Sequence, residues 1–306
     1  MKSEIVVIGA SAGGINPLKT IVEGLPASFQ AAIFVVIHVG EGIGPTGFPQ
    51  VLQMIGPLPT SDAEDGEPIV PGRIYIAKPD FHLTLEPGRV RVRYGPRENL
   101  TRPAINPLFR SAADAYGPRV TGVILSGWLD DGVAGLASIK ERGGLAIVQD
   151  PATAACPEMP RAALQYIRAD YILPPNEISD VLAQVASTRR EIPQEVSVPM
   201  TRELIRITCP DCRGPLWVEK RGDLGEYRCR VGHAFSPRVL AQEHITTVER
   251  SLWAAIVALE ESADIAESVS GERVAEGLES ARQRREEAAR LRDVLRRLSD
   301  KPISRT

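Results

Sequence analysis

Apolar positions in the first 187 residues fall into two alternating patterns. Ile5-Val-Val-Ile8, Ile33-Phe-Val-Val-Ile37, Gly122-Val-Ile-Leu125 and Ala146-Ile-Val148 are short runs without polar alternation, as strands buried on both faces should be. Helical spacing recurs between them over roughly 14–24, 46–55, 105–116, 132–142 and 160–167, with a closing helix near 176–187. This alternation predicts an α/β fold, a doubly wound and mostly parallel sheet. Arg73-Ile-Tyr-Ile-Ala77 predicts one more strand. His82-Leu-Thr-Leu85 and Arg89-Val-Arg-Val-Arg93, joined by Pro87-Gly88, predict a half-solvated hairpin at the sheet edge.

The pattern then breaks. Residues 188–203 carry two prolines and no helical period, which predicts a linker. Residues 204–236 predict a small hairpin-rich unit with glycine turns, and 237–300 a helical hairpin. In its first helix Ile245, Val248, Leu252, Ala255 and Leu259 recur at heptad spacing. After a break at Ser268-Val-Ser-Gly271, Val274, Leu278, Ala281, Ala288, Leu291, Leu295 and Leu298 continue the pattern in the second. Residues 1–187 form the first domain in this division.

Composition removes several classes of function. Of 306 residues 43% are hydrophobic and 25% charged, with 36 Lys+Arg against 39 Asp+Glu, so the chain has the usage of a soluble globular protein and no basic excess for nucleic acid. The longest apolar run, Ala31–Ile37, falls far short of the ~20 residues of a membrane helix. No membrane insertion is expected. The start of the chain has neither an apolar signal core nor a small-residue cleavage site, which predicts a cytoplasmic protein.

Gly9-Ala-Ser11-Ala-Gly13-Gly14 follows the first strand and opens a helix. A dinucleotide site would need glycine at the position of Ser11 and an acid at the end of the second strand, where the chain has His38. Gly-x-Ser-x-Gly instead places a serine hydroxyl on a sharp turn above a sheet, near backbone N–H groups that can hold an oxyanion. A serine that only caps the following helix would leave the same trace. A nucleophilic serine needs a base, and the chain has four histidines. His233 has metal-like spacing to a cysteine, His244 lies in the distal helix and His82 opens the hairpin. His38 remains, at the carboxyl end of the second strand, where open parallel sheets bind ligands. A packed core histidine is the plain alternative. The orienting acid should follow another central strand, and Asp130 and Asp131 both do, although either could merely cap the next helix. The order Ser, His, Asp argues against the α/β-hydrolase fold.

These motifs, together with Arg102-Pro-Ala-Ile-Asn-Pro-Leu-Phe-Arg-Ser111, Leu125-Ser-Gly-Trp-Leu-Asp-Asp131-Gly and Glu158-Met-Pro-Arg161, closely resemble the CheB-type chemotaxis protein-glutamate methylesterase domain over about residues 3–187. The resemblance implies a serine hydrolase acting on glutamate methyl esters of a chemoreceptor, and on receptor glutamines by deamidation. It implies Ser11 as nucleophile, His38 as general base and acid, and Asp131 as orienting acid, because the family's Asp precedes the glycine matching Gly132. The oxyanion donors carry over to the backbone N–H groups of Ala12 and Trp128. Ala12 stands where Thr is common, Trp128 where Met is common, and Asn106 where an acid is frequent, so pocket walls and substrate contacts are expected to differ. Residue 4 already begins the catalytic sheet, so no receiver domain with an acceptor aspartate is expected before it. No catalytic cofactor is expected. The rival functions are a non-catalytic scaffold and an esterase for small molecules.

Cys209-Pro-Asp-Cys212 and Cys229-Arg-Val-Gly-His233 form C-x2-C-x16-C-x3-H, whose two short pairs can grip a tetrahedral Zn²⁺ as a structural zinc ribbon. Coincidental cysteines or an iron site are the other readings. Similar zinc-ribbon and helical tails follow some stand-alone members of the resembled family. Cys156 is read as an ordinary packed residue. Seven Arg against three acids in 282–297 read as a solvated helix face. The closed ligand set and the absence of triad residues beyond 131 place the tail outside the chemistry, as a docking element for a partner or a means of self-association through its helices.

Overall fold

The structure is a computed structural model that describes residues 4–38, 47–187, 200–221, 223–269 and 274–299. The chain divides into two compact units, Met1–Leu240 and Ala241–Thr306. In chain order the first begins β1 (Ile5–Ala10), α1 (Ile15–Gly24), β2 (Ala32–Ile37), α2 (Phe48–Ile55), β3 (Thr60–Asp62), β4 (Ile74–Ile76), β5 (His82–Glu86), β6 (Arg89–Arg93) and α3 (Ile105–Tyr116). It continues with β7 (Val120–Ile124), α4 (Val133–Glu141), β8 (Leu145–Gln149), α5 (Glu158–Tyr166), β9 (Tyr171–Leu173) and α6 (Pro175–Ser187). Seven strands form one parallel sheet in the order β3-β4-β2-β1-β7-β8-β9.

Every residue of β1 and β2 is buried, which is why neither alternates with polar positions. Successive side chains still point to opposite faces. Ile5 and Val7 join Phe34, Tyr75, Phe109, Leu136 and Met159 in one core, whereas Val6 and Ile8 join Leu18, Ile21, Leu52 and Leu182 in the other. At about 2 kcal/mol per fully buried large apolar side chain, these two cores are the main term holding the sheet rigid. Because β2 lies on one side of β1 and β7 on the other, the strand order reverses at β1, and the crevice beyond its carboxyl end is where such sheets bind ligands.

The hairpin expectation needs correction. β5 and β6 form a separate two-stranded sheet on α3, with Leu83, Leu85 and Val90 buried and Leu85 N–H donating to Ser111 Oγ at 2.9 Å. Their alternate apolar residues find the helix, and the sheet edge is taken by polar β3, which pairs through backbone alone and so carries no apolar signal.

The linker also ends earlier than expected. β10 (Thr201–Thr208) already pairs with β11 (Pro215–Arg221), and β12 (Leu224–Cys229) and β13 (Ala234–Phe235) complete a four-stranded antiparallel sheet. Most of β10 is exposed and held by strand pairing, so its first residues look like linker. The rest of the expected linker, 188–199, lies outside the described residues. Helix α7 (Pro237–Val269) crosses the unit boundary, and α8 (Val274–Ser299) follows. In the second unit Ile256 and Ala263 are buried, as are Ala281, Ala288 and Leu295, two series seven residues apart. Ile245 and Val248, expected in the seam, are about half exposed. Arg285 pairs with Asp264 at 2.9 Å, and Arg292 with Glu260. No helix among the described residues is long and apolar enough to cross a membrane.

Candidate active site

Register alone brings the serine and the histidine together. Ala10 of β1 pairs with Ile37 of β2, so Ser11 and His38 leave adjacent strands at the same level. His38 N–H donates to Ala10 O at 3.0 Å, and Ser11 N–H to Ser126 O beyond β7 at 3.0 Å. The Ser11 turn needs glycine at 13, where φ is +73° and a Cβ would lie 2.7 Å from Ala155 Cβ. Ser126 Oγ donates to Ala12 O at 2.8 Å, so β7 braces the same turn.

Between the two adjacent acids the structure separates what spacing left open. Asp131 is buried, with Oδ2 3.2 Å from His38 Nε2. It also accepts from Ile105 N–H at 2.6 Å, Asn106 N–H at 3.4 Å and Asn99 Nδ2 at 3.0 Å. Burial pushes its pKa up, but the His38 hydrogen bond and charge, the Ile105 N–H and the Asn99 amide outweigh that and hold the carboxyl below the usual range. The α3 N-terminus favours the same charged form. Gly132, at φ +93°, permits this approach, because a Cβ there would lie 2.8 Å from Ile105 Cγ2. Asp130 points elsewhere. It accepts from Ser236 Oγ at 2.7 Å and lines a cavity of about 140 Å³ with Glu226 and Arg238. Burial raises its pKa, partly offset by the Ser236 hydroxyl.

With Nε2 on Asp131, the Nδ1 of His38 has no hydrogen bond among the described residues, and neither has Ser11 Oγ. The N–H groups of Ala12 and Trp128 likewise donate to no acceptor among the described residues. The Trp128 side chain is 64% exposed. A serine hydroxyl, an imidazole held by a carboxylate and two backbone N–H groups without an acceptor among the described residues therefore lie at the carboxyl end of the sheet.

A sequence model described as CheB methylesterase matches residues 6–182, more than half of the chain. The chain belongs to the CheB methylesterase family. A relative from Leptospira interrogans, named as a putative protein-glutamate methylesterase/protein-glutamine glutaminase, is 39% identical over 192 residues, which are 62% of this chain and 99% of the relative. Protein-glutamate methylesterase/protein-glutamine glutaminase 2 from Anaeromyxobacter dehalogenans is 41% identical over 60% of this chain and 53% of its own length. The crystal structure of the Thermotoga maritima CheB methylesterase catalytic domain superposes with TM-score 0.58 at 35% identity, covering 60% of this chain and 100% of that one.

Sequence reading missed the supports of this CheB site. Asn99 joins Asp131, and Thr101 Oγ1 lies 3.4 Å from His38 Nε2, yet the loop that carries them has no motif. His82 Nδ1 accepts from Ala104 N–H at 3.2 Å and its Nε2 meets Pro96 O at 2.8 Å, so this histidine secures both ends of the 96–104 loop. Asn106, which stands where the resembled family often has an acid, accepts from Gly135 N–H at 2.7 Å and ties α3 to α4.

The ligand atoms of Cys209, Cys212, Cys229 and His233 lie within 4.8 Å of one another and could hold a metal ion. Sγ of Cys212 and Cys229 are 3.6 Å apart, and His233 Nδ1 is 3.7 Å from Cys209 Sγ and 3.5 Å from Cys229 Sγ. A Zn²⁺ tetrahedron with bonds of roughly 2.3 Å to sulfur and 2.0 Å to nitrogen has edges of about 3.8 and 3.5 Å, with which these three separations are compatible. His233 Nε2 faces Asp211 Oδ2 at 3.8 Å, an outer carboxylate that favours Nδ1 as the ligating atom. The segment that carries these four residues also packs on the loops beside Asp131. Its small core of Leu216, Phe235, Val239 and Leu240 packs against Leu100 and Leu129, the neighbours of Asn99 and Asp130.

Proposed function

We propose that this protein is a cytoplasmic methylesterase that hydrolyses glutamate methyl esters, and deamidates glutamines, on a chemoreceptor, with Ser11, His38 and Asp131 as its triad. The observation that carries the reading is the 3.2 Å His38–Asp131 pair beside a serine turn with free backbone donors, in a chain of the CheB family. His38 Nδ1 takes the Ser11 proton as Oγ attacks the ester carbonyl, and the Ala12 and Trp128 N–H groups hold the resulting oxyanion. Collapse releases methanol, or ammonia from glutamine, with the proton from His38. Water activated by the same ring then frees the glutamate and returns Ser11. Asp131 stays ionised throughout and stabilises the imidazolium.

Residues 1–187 carry the reacting groups in this reading, 204–236 form a zinc ribbon, and 237–300 a helical hairpin available to a partner or a second copy. Zn²⁺ held by Cys209, Cys212, Cys229 and His233 supplies structure and no activated water, since four protein ligands close the tetrahedron. Methanol release from methylated receptor membranes tests the function: wild type should release it and Ser11→Ala should not. Release by neither, with hydrolysis of small esters by wild type, would make the protein a small-molecule esterase; no turnover of either substrate would make it a scaffold.

A further inference from the structure

The turn 98–101 reaches both partners that hold His38. Asn99 Nδ2 donates to Asp131 Oδ1 at 3.0 Å, and Thr101 Oγ1 lies 3.4 Å from His38 Nε2. Asn99 is 5% exposed and sits at φ +49°, with Leu100 at +65°, left-handed conformations that need outside support. That support comes from the segment directly after the last metal-site ligand. Asn99 N–H donates to Ala234 O at 2.8 Å, and Ser236 N–H donates to Asn99 Oδ1 at 2.8 Å. Asn99 therefore uses one end of its amide on the ribbon and the other on Asp131. Ser236 Oγ meanwhile donates to Asp130 and accepts from Val239 N–H at 3.1 Å, which ties the start of α7 to the same place. The strap is anchored at its other end by Cys229 N–H to His233 O at 3.0 Å, inside the ligand knuckle. Leu100 and Leu129 pack into the core that contains Cys209 and Cys229. Around it, Glu98, 7% exposed, bonds Arg110 of α3 at 2.6 Å and meets Arg228 of β12 at 3.4 Å.

We propose that the Cys209/Cys212/Cys229/His233 site governs catalysis through positioning: a bound metal fixes the 234–236 strap, the strap fixes Asn99, and Asn99 with its turn sets Asp131 and His38. Asn99 is a positioning residue, and the ribbon is a metal-dependent support of the triad. The inference rests on the triad reading above. Without a metal the four ligand groups are joined only by local hydrogen bonds of the knuckle, and the strap that follows His233 is the first element to loosen. The consequence is a loss of His38 orientation rather than of substrate binding.

The test uses the full-length chain, loaded with Zn²⁺ and again after chelation, on a small activated ester. Imidazole nitrogen NMR shifts of His38 and far-UV circular dichroism are recorded alongside kinetics. Chelation should lower kcat by about 10- to 100-fold with KM little changed, the size of a misoriented catalytic group, and should move the His38 signals; added Zn²⁺ should restore both. Zinc-loaded Asn99→Ala should show the same fall in kcat with a full metal complement, and chelating it should cause no further fall, because the link is already cut. Unchanged kcat and His38 signals on metal removal would overturn the proposal, as would a full-sized chelation loss persisting in Asn99→Ala. If chelation unfolds the whole chain, zinc-loaded Asn99→Ala decides, and wild-type kcat in it overturns the proposal. Turnover retained in Ser11→Ala or Asp131→Asn would instead mean that the triad reading has failed; those variants inactive beside a fully active Asn99→Ala would mean that only the link has.

Discussion

Ser11 is the proposed nucleophile, and a change to Ala is expected to abolish methanol release while the circular dichroism stays that of wild type. The two acids should separate cleanly. Asp131→Asn removes the charge that orients and stabilises His38 and should cost about 10⁴-fold in kcat, as in analogous triads, whereas Asp130→Asn, whose partner is Ser236, should cost far less. Equal losses in a steady-state assay would contradict the geometry. His82 offers a different signature. Burial lowers its pKa from the ordinary value of 6.5, partly offset by the Pro96 carbonyl, so the folded state resists its protonation. Its contribution is complete above pH 6.5 and is lost as pH falls from 6.5 toward the lower folded value. Urea unfolding across that window should show stability dropping with acid in wild type and a shallower drop in His82→Gln, which cannot titrate.

Among the elements, α3 and β12 meet through a cluster of ion pairs. Arg110 meets Glu98 and Glu226, while Arg228 meets the same two acids, all partly or wholly shielded from water. Glu98→Ala leaves two guanidinium groups short of a partner and is expected to destabilise the fold by about 3 kcal/mol in denaturant unfolding, because a stranded buried charge costs more than its pair contributed. The helices follow a different rule. Leu295 is 9% exposed and Leu278 51%, so Leu295→Ala should cost about 2 kcal/mol and Leu278→Ala under about 0.5 kcal/mol, read as hydrogen-exchange protection in α8. Both leucines fit one apolar period in the sequence. What distinguishes them is which turn meets a neighbouring helix, and the period carries no information on that.

For the whole molecule, acid should act on the ribbon contact as well as on the triad. Burial pushes the Glu226 pKa up, but Arg110 and Arg228 outweigh it and hold the carboxyl below the ordinary 4.5. Its stabilisation is therefore present above pH 4.5 and is lost as pH falls through the lower folded value. Ion-pair contact between β12 and α3 should fail there, before the apolar sheet does, and proteolysis after residue 187 at successive pH values would reveal it. The CheB methylesterase model matches residues 6–182, so β10–β13, α7 and α8 all lie outside the matched segment.

The strands β1, β2, β7 and β8, the helices between them and the placing of Ser11 and His38 at the ends of adjacent strands were all legible in the sequence, because buried parallel strands write continuous apolar runs and their ends align by register. The cluster of Cys209, Cys212, Cys229 and His233 was legible for the same kind of reason, since its two short pairs are local in the chain. The resemblance already singled out Asp131 from the sequence, whereas only the tertiary structure decided that Asp130 turns to Ser236, that the β5–β6 hairpin lies on α3, and that Asn99 joins Asp131 to the 234–236 segment. Each depends on contacts between residues far apart in sequence, made through backbone groups and single polar side chains. Such contacts leave no period, run or spacing behind, because their energy comes from burial and hydrogen-bond geometry that exist only once the chain has closed on itself.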